Sequence, residues 1–297
     1  MPDQASNEAI AKLPCWSGKI AIAALAGGIT NRNYRVTTQD RQRFVVRIGR
    51  DIPEHGVMRF NELAAARAAY AAGLSPEVVY AADGYLVCRF IDGRTLTPQD
   101  VREPRNLQRI VALLRRCHRD VPRYFQGPAL IFWVFQVIRN YLQLLATRNS
   151  NPYEIALTTL GAKAQRLEAA LGPVTIVFGH NDLLAANLLD DGQRLWLIDW
   201  DYAGFNSPLF DLANLATNNE FPPELATQML NDYFGKPPTA ELRRAYTAMQ
   251  CASLLRESLW GAVSALTSTI EFDYHGYARD YLRRFARSWQ DFEAGNG

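Results

Sequence analysis

The feature that most constrains this chain is a set of polar residues inside an otherwise apolar stretch. Residues 177–189 read VFGHNDLLAANLL, in which the run from His180 to Asp182 is polar and Asn187 follows five residues after the aspartate. Buried polar groups without partners are costly, because they lose their hydrogen bonds to water. We therefore expect these residues either to fix a tight loop or to hold a ligand.

Another acidic residue follows this segment at the end of a short hairpin. The chain continues with LLDDGQRLWLIDWD, where Asp191-Gly192 is a strong turn signal between two short apolar strands and Asp199 ends the second one. A carboxylate at that point can be held beside the loop that contains Asn187. Phosphoryl transfer needs this arrangement, with one carboxylate near the acceptor hydroxyl and oxygen ligands for Mg²⁺. Asp182 and Asn187 also have the spacing of the base and the metal-binding asparagine in a kinase catalytic loop.

Two parts of the chain differ in their secondary-structure signals. Before Asp92-Gly93, β-branched and aromatic runs alternate with turn signals, and one helical pattern ends at Gly73. After that point helical patterns dominate, apart from a β-like region near 175–200. We expect an α+β fold with a small β-rich N-terminal lobe at 1–92 and a large α-rich C-terminal lobe at 93–297. The helical patterns cover roughly residues 57–73, 104–119, 130–147, 153–171, 208–218, 222–234, 239–268 and 275–292.

Composition argues against several other classes of protein. The net charge is +2 and no basic run stands out, so nothing indicates nucleic-acid binding. The apolar run near PALIFWVF is too short to span a bilayer, and no N-terminal signal segment is visible. These features predict a cytoplasmic protein without stable membrane insertion, and a homodimer stays open. The cysteines have neither metal-ligand spacing nor disulfide density: Cys15, Cys88, Cys117 and Cys251.

Several segments together resemble the choline/ethanolamine kinase and aminoglycoside phosphotransferase families, which are relatives of the protein kinases. The matching segments are GGITNRNYRV, VVRIG, the helix that contains Glu62, GHNDLLAANLL and IDWDYAGFNSPLFDLAN. A further segment, IEFDYHGYA, resembles the choline kinases more closely. The resemblance covers nearly the whole chain and is most specific in residues 179–214. It implies a two-lobed, protein-kinase-like fold and an enzyme that uses ATP and Mg²⁺.

The resemblance also implies roles for the three polar residues of the loop and hairpin. Asp182 is the implied catalytic base, which orients the substrate hydroxyl and accepts its proton. Asn187 and Asp199 are the implied ligands of the Mg²⁺ that bridges the ATP phosphates. The alternative, that Asp182 only caps a turn and Asn187 only fills one, does not explain the combined pattern.

Three further polar residues near these positions have less certain roles. In the related fold the histidine that matches His180 mostly supports the catalytic loop, so we expect a structural role for it. Asp211 lies in the first turn of a predicted helix, where a carboxylate favours the helix dipole and can brace the loop. For Asp201 two interpretations stay open, a contact near the metal and a simple surface carboxylate.

The nucleotide side departs from the protein-kinase pattern. The loop at 27–31 has fewer glycines, and Arg47 stands where a strand lysine is expected. A guanidinium can bridge phosphate oxygens and a carboxylate, and Glu62 is its natural partner. The alternative is an exposed arginine and a solvated glutamate. The adenine is expected against the segment that joins the lobes. The expected nucleotide contacts are Gly28, Thr30, Asn31, Arg47, Glu62, Phe90 and Ile91.

The acceptor pocket is expected in the C-terminal lobe. Trp260 and Tyr277 match positions where choline kinases place aromatic residues around a quaternary ammonium, and Glu220 follows the FDLAN helix as an acidic residue does there. Glu257 stands one helical turn before Trp260, where the eukaryotic choline kinases have another tryptophan. A carboxylate there suits a primary ammonium better than a trimethylated one. Ordinary helix packing is the alternative for the aromatic residues.

These expectations add up to phosphotransfer from ATP, with Mg²⁺, to the hydroxyl of a small cationic amino alcohol. Choline is expected narrowly ahead of ethanolamine. Another hydroxyl substrate, such as an aminoglycoside or thiamine, is the first alternative. A non-catalytic nucleotide-binding pseudokinase is the second, and it is disfavoured because Asp182, Asn187 and Asp199 are all present.

Overall fold

The computed structural model describes residues 4–25 and 31–295. Within these ranges the strands are β1 (Ile20–Leu25), β2 (Arg32–Thr38), β3 (Arg43–Ile48), β4 (Val78–Ala82), β5 (Tyr85–Arg89), β6 (Arg94–Thr95), β7 (Val177–Gly179), β8 (Leu188–Asp190), β9 (Leu195–Leu197) and β10 (Gly204–Asn206). The helices are α1 (Gln4–Ala11), α2 (Arg59–Ala71), α3 (Pro98–Arg102), α4 (Pro104–Tyr124), α5 (Val134–Thr147), α6 (Leu157–Ala169), α7 (Pro208–Asn218), α8 (Pro223–Phe234), α9 (Ala240–Thr267) and α10 (Tyr274–Glu293). Strands thus dominate the start of the chain and helices the rest, as the sequence predicts.

The N-terminal sheet is antiparallel, with the strand order β1-β2-β3-β5-β4. Its core alternates along the strands: Tyr34 and Val36 of β2 and Phe44 and Val46 of β3 are buried in one cluster. This spacing is what a half-buried strand requires, because successive side chains point to opposite faces. Helix α1, which the sequence patterns do not predict, adds Ile10 to the same cluster. Ile10 is its one buried residue, so α1 shows little helical periodicity.

Helix α2 belongs to the N-terminal part of the chain but packs with the larger core. Its Ala65 and Ala69 are buried in the same cluster as Leu114 of α4. The predicted end of the helix is confirmed, since Gly73 follows it with φ +70 in the left-handed region that glycine tolerates best. We keep the lobe boundary at residue 92 as a proposal, because α2 shares its core with residues beyond that boundary.

Helix α9 is the centre of the C-terminal part, and α5, α7 and α10 pack around it. Every residue from 251 to 264 is buried. This buried run includes Arg256 and Glu257, and charged residues are rarely found fully buried unless they are paired. Within residues 4–25 and 31–295, no helix is long and apolar enough to cross a membrane, α9 included.

The loop at 180–187 connects two small sheets, because it follows β7 and precedes β8. Strands β7 and β10 pair antiparallel, and β6, β8 and β9 form the second sheet. The predicted hairpin is confirmed: Gly192 has φ +87, and the Asp191 carboxylate accepts hydrogen bonds from the backbone N–H groups of Gln193 and Arg194 at 2.8 and 2.7 Å. Strand β6 is not predicted, because two residues are too few to show a strand period.

Candidate active site

The loop at 180–187 is anchored by a buried carboxylate from α7. Both oxygens of Asp211 accept backbone N–H groups, from His180 at 2.9 Å and from Asn181 at 2.8 Å. The Nε2 of His118 lies 2.9 Å from the same carboxylate. Burial favours a higher pKa for Asp211, but the hydrogen bonds that its carboxylate accepts, above all from His118, outweigh burial and lower the pKa. The structural role predicted for Asp211 is confirmed.

Two asparagines that the sequence analysis does not single out complete this anchoring. Asn181 has φ +65, and its Nδ2 donates to the carbonyl of Tyr202 at 3.0 Å. The N–H of Leu183 donates to the Oδ1 of Asn214 at 2.6 Å. The sequence signal for both residues was an amide side chain inside an apolar segment. Such a side chain is normally hydrogen-bonded when it is buried, and here it satisfies backbone groups.

His180 supports the loop through backbone hydrogen bonds. Its Nδ1 accepts the N–H of Asp182 at 3.3 Å, and its Nε2 lies 3.0 Å from the carbonyl of Ile198. Burial lowers the pKa of the imidazole, which favours the neutral ring. The ring therefore ties the loop to the hairpin, which is the supporting role expected for it.

Asp182 is half-buried and lies in direct contact with Asn187. The Nδ2 of Asn187 donates to the Asp182 carbonyl at 2.8 Å and to its Oδ2 at 3.2 Å. Burial is the main reason that the pKa of Asp182 is raised to about 7. Arg256 opposes this rise, and Glu257 adds to it. The loop thus holds a carboxylate close to one buried cation from α9.

Asp199 stands beside Asn187 at the end of the hairpin. The N–H of Ile198 donates to the Asn187 carbonyl at 3.0 Å, so backbone pairing holds the two segments together. Asp199 has φ +68, which turns the chain sharply after β9, and its side chain retains solvent contact. Desolvation by the surrounding protein atoms raises the pKa of the Asp199 carboxyl, and the negative charge of Asp201 raises it further.

Asn187 and Asp199 fit a hard divalent cation that is shared with phosphates. The Nδ2 of Asn187 is used by Asp182, and no donor among the described residues reaches its Oδ1. That oxygen and the Asp199 carboxylate are the ligand types that Mg²⁺ prefers. Within the described part of the chain, no group of three or more His, Cys, Asp or Glu side chains is arranged to hold a metal. Two ligands from the protein are enough for Mg²⁺, because this ion keeps waters and substrate phosphates as its other ligands.

A buried charge cluster joins β3 and α2 to the segment after the hairpin. Asp201 is 4% exposed and accepts hydrogen bonds from Arg47 at 2.6 Å and from Arg59 at 2.7 Å. Both arginines also pair with Glu62 of α2. The predicted Arg47–Glu62 pair is therefore present, and the surface interpretation of Asp201 is wrong, because two guanidinium groups enclose it. Arg59 was missed, since its sequence context does not set it apart from a solvated helix residue.

Among the described residues predicted for the nucleotide, Asn31 also joins this cluster. Gly28 and Thr30 fall outside the described residues. Asn31 is buried, and it donates to Asp201 and accepts from Arg59, both at 2.9 Å. Phe90 and Ile91 are half-buried in the segment that leaves the sheet. Their contact with a nucleotide stays a prediction.

Three of the predicted acceptor residues, all from α9 and α10, come together. The rings of Trp260 and Tyr277 are 5.5 Å apart, and the Tyr277 hydroxyl donates to Glu257 at 2.7 Å. The indole N–H of Trp260 donates to the hydroxyl of Tyr202 at 2.9 Å. Burial raises the pKa of Tyr277 well above its usual value, so its hydroxyl stays protonated and can donate. These aromatic residues and the carboxylate form one connected group.

The fourth predicted acceptor residue, Glu220, does not join this group. It is exposed with φ +53 just after α7, and it borders a groove that Tyr246 and Arg284 also line. No hydrogen bond or ring contact between described residues links it to Trp260 or Tyr277. Glu220 follows the end of α7, as expected, and its place in the acceptor site stays a prediction.

Comparisons with known proteins identify the family. Residues 22–233 match the family model for choline/ethanolamine kinase. The chain belongs to the choline/ethanolamine kinase family. A probable ethanolamine kinase of Arabidopsis thaliana is 27% identical over 289 residues, which cover 86% of the chain and 76% of that protein. The crystal structure of a choline/ethanolamine kinase family protein from Mesorhizobium loti has a TM-score of 0.79 at 27% identity and covers 98% of both chains.

A third comparison concerns the fold and a nucleotide. The crystal structure of LicA in complex with AMP has a TM-score of 0.80 at 22% identity, with 98% of both chains covered. The predicted two-lobed kinase-like fold and the family resemblance are confirmed. The protein is a small-molecule kinase, and its relatives support an amino alcohol as the acceptor.

One buried charged residue beside the group of Trp260, Tyr277 and Glu257 was missed by the sequence analysis. Arg256 is 1% exposed, its Nη1 donates to Glu257, and its guanidinium lies over the ring of Tyr202 at 4.4 Å. The charge of Glu257 is therefore balanced within the chain, which the sequence analysis did not foresee. The sequence signal was the adjacent pair Arg256-Glu257 within an otherwise apolar helical segment. Charged residues in a buried helix are rarely found without a partner.

Proposed function

We propose that the kinase transfers the γ-phosphoryl group of ATP, with Mg²⁺, to the hydroxyl of a small amino alcohol. The observation that carries this proposal is the fixed position of the Asp182 carboxylate. Asp211 holds the backbone before it and Asn187 holds its Oδ2, while Asp199 lies on the adjacent strand end. Phosphoryl transfer depends on positioning and on charge stabilisation more than on covalent chemistry by the protein.

The chain's own residues divide into two groups in this proposal. Asp182 orients the acceptor hydroxyl and accepts its proton. Asn187 and Asp199 would hold the cation through their oxygens. When bound, Mg²⁺ neutralises charge on the phosphate oxygens. The proposed nucleotide contacts are those expected from the sequence: Gly28, Thr30, Asn31, Arg47, Glu62, Phe90 and Ile91.

Choline and ethanolamine are the first acceptors of the proposal, at a site that contains Trp260, Tyr277 and Glu257. An aromatic face attracts an ammonium group. Because Arg256 and Tyr277 already bind the Glu257 carboxylate, it adds less attraction for a cation than its sequence position alone predicts. The order of choline and ethanolamine is therefore left to the assay. A cytoplasmic location and a homodimer stay part of the same proposal.

The test is release of ADP in a coupled assay with Mg²⁺, across choline, ethanolamine, thiamine and an aminoglycoside. Asp182→Asn should lower turnover by at least about 10²-fold with the best acceptor, the usual scale for loss of a general base. Nucleotide binding, measured by calorimetry, should stay close to that of the wild type. Asp280→Asn, at an exposed carboxylate paired with Arg283, is the matched control.

Two outcomes would contradict the proposal. Near-normal turnover in the folded Asp182→Asn protein would remove Asp182 as the base. ADP release with thiamine or an aminoglycoside, and none with an amino alcohol, would keep the kinase and change the acceptor class.

A further inference from the structure

His55 is a buried residue in the loop at 49–58, which joins β3 to α2. The loop folds back on itself, because Ile52 and Val57 exchange backbone hydrogen bonds of 2.8 and 3.1 Å. Between these two residues a short turn ends at Gly56, whose φ of +70 lies in the left-handed region that glycine tolerates. The turn carries His55 into the core beside α5, where only 6% of its surface stays exposed.

The base of this loop is tied to the buried charge cluster that contains Asp201. The backbone N–H of Arg59 donates to the Oδ1 of Asp51 at 2.7 Å, and its Nε donates to the carbonyl of Arg50 at 2.8 Å. The guanidinium of the same arginine pairs with Asp201. Because the base is anchored, the tip of the loop can act as a fixed support for the residues that it contacts.

Both ring nitrogens of His55 have hydrogen-bond partners from the C-terminal helices. Nδ1 lies 2.9 Å from the Tyr141 hydroxyl of α5, and Nε2 lies 3.1 Å from the Ser264 hydroxyl of α9. Burial, with a contribution from Arg256, lowers the pKa of the imidazole to about 3, so the ring is neutral. A neutral imidazole donates through one nitrogen and accepts through the other, and a hydroxyl can take either part. A buried polar group with both partners present fixes a single arrangement of the core around it.

The ring of His55 packs beside Trp260, which belongs to the group proposed to bind the acceptor. The two ring centroids are 5.6 Å apart, and the ring planes are inclined by 34°. The indole N–H of Trp260 donates to the Tyr202 hydroxyl, and the ring of Tyr277 lies 5.5 Å away. The indole is thus fixed by one hydrogen bond and by ring neighbours, and His55 is the neighbour that comes from the N-terminal part of the chain.

We propose that His55 is a positioning residue for the acceptor, because it holds the Trp260 ring where that ring can attract an ammonium group. This inference rests on the proposed function. An aromatic ring attracts a cation only within about 6 Å of the ring centre, so an indole that shifts loses affinity for the acceptor. A neutral imidazole also adds no charge that would repel the ammonium. His55 acts through Trp260 and takes no part in the phosphoryl transfer itself.

The test compares the KM for the acceptor with the KM for ATP in variants of His55. His55→Leu removes both hydrogen bonds. We expect the KM for choline or ethanolamine, whichever is the better acceptor, to rise by about 10-fold, the scale of one contact between a cation and an aromatic ring. The KM for ATP and kcat should stay close to their wild-type values. His55→Gln, which keeps one donor and one acceptor, should recover most of the lost affinity.

The outcomes separate this inference from the proposed function. If the wild type phosphorylates an amino alcohol and His55→Leu leaves the KM for it unchanged, the inference is wrong and the proposed function stands. An equal rise in the KM for ATP would show that His55 only supports the fold, which also overturns the inference. If the wild type releases ADP with no amino alcohol, the proposed function fails and the inference fails with it.

Ser264→Ala supplies a second test, which decides if His55→Leu does not fold. It removes one partner of His55 and leaves the imidazole in place, so the KM for the amino alcohol should rise and the KM for ATP should not. Thr267→Val is the matched control, because the Thr267 hydroxyl lies on the same helix but donates to the carbonyl of Val263. A KM for the amino alcohol that responds equally to both variants, or to neither, would overturn the inference.

Discussion

Two buried arginine–carboxylate clusters lie near Asp182, and they differ in how completely they are paired. On the nucleotide side, Asp201 accepts hydrogen bonds from Arg47, Arg59 and Asn31. On the acceptor side, Arg256 has one carboxylate partner, Glu257, and two unused donors. The nucleotide-side cluster is closed apart from the Nε of Arg47, a single donor rather than a fork.

The difference separates a cluster with several charged partners from a single buried ion pair. A buried ion pair gains stability only when its charges find several good partners, because desolvation otherwise exceeds the attraction. Asp201 meets that condition, and its pKa is lowered because Arg47 and Arg59 outweigh its burial. The cluster therefore braces the sheet and α2 against the segment after the hairpin. Arg256 has fewer charged partners: its Nη1 donates to Glu257, and its guanidinium lies over the rings of Tyr202 and Phe132.

The largest expected effect on stability comes from breaking the closed cluster. Asp201→Ala leaves Arg47 and Arg59 without their shared partner in a buried site. Removal of one member of a buried pair costs about 3–5 kcal/mol, because the remaining charge is uncompensated. The free energy of unfolding in urea is the measurement.

The control for this prediction is a pair of the same type in solvent. Asp280→Ala breaks the exposed pair with Arg283 and should cost about 1 kcal/mol or less. A similar cost for Asp201→Ala would mean that the nucleotide-side cluster is not a brace, and the contrast between the two clusters would then fail.

The next prediction removes the open cluster as a unit. Arg256→Met combined with Glu257→Met replaces a buried ion pair by apolar side chains. Such replacements are often neutral, or stabilising by about 1–4 kcal/mol. We expect urea unfolding to show no loss of stability, whereas the same assay on Arg59→Met with Asp201→Leu should show a loss, because Arg47 and Asn31 lose their partner. Equal losses in both proteins would show that the Arg256–Glu257 pair stabilises the fold as much as the nucleotide-side cluster does.

The fold could be predicted well where the chain shows a long period. The helical patterns near 208–218, 222–234 and 239–268 agree with α7, α8 and α9 to within one residue at each end. Helix α1 and strand β6 were missed for a shared reason: α1 buries one residue and β6 has two, so neither shows a period. Both are defined by tertiary contacts, which a single sequence does not display.

The site could be predicted where function ties residues to a local spacing. Asp182, Asn187 and Asp199 lie within one loop and one hairpin, and the structure keeps them together. Glu220 stays a prediction, because no contact between described residues links it to Trp260 or Tyr277. Arg256 was missed because its importance lies in partners from other parts of the chain and in the donors left over, and these are properties of packing.

A smaller effect than that of Asp201→Ala concerns a histidine beside the Arg256–Glu257 pair, and it tests how much positive charge that region tolerates. His55 is buried, its Nδ1 lies 2.9 Å from the Tyr141 hydroxyl and its Nε2 lies 3.1 Å from the Ser264 hydroxyl. The charged group that acts on it is Arg256, and the ring of Trp260 packs at 5.6 Å. Burial, with a contribution from Arg256, lowers the pKa of His55 from 6.5 to about 3.

The sign of the pH effect follows from which state binds the proton. Between the two pKa values the unfolded chain is protonated at His55 and the folded chain is not, so stability is fully present above the unfolded pKa and falls as the pH falls. When the pH falls from about 7.5 to about 5.5, the free energy of unfolding of the wild type should drop by about 1.4 kcal/mol more than that of His55→Gln, which lacks the imidazole. Urea unfolding of both proteins at the two pH values measures the difference. Parallel pH profiles would show that His55 takes up its proton in the folded protein, and that the region beside Arg256 accepts a second cation.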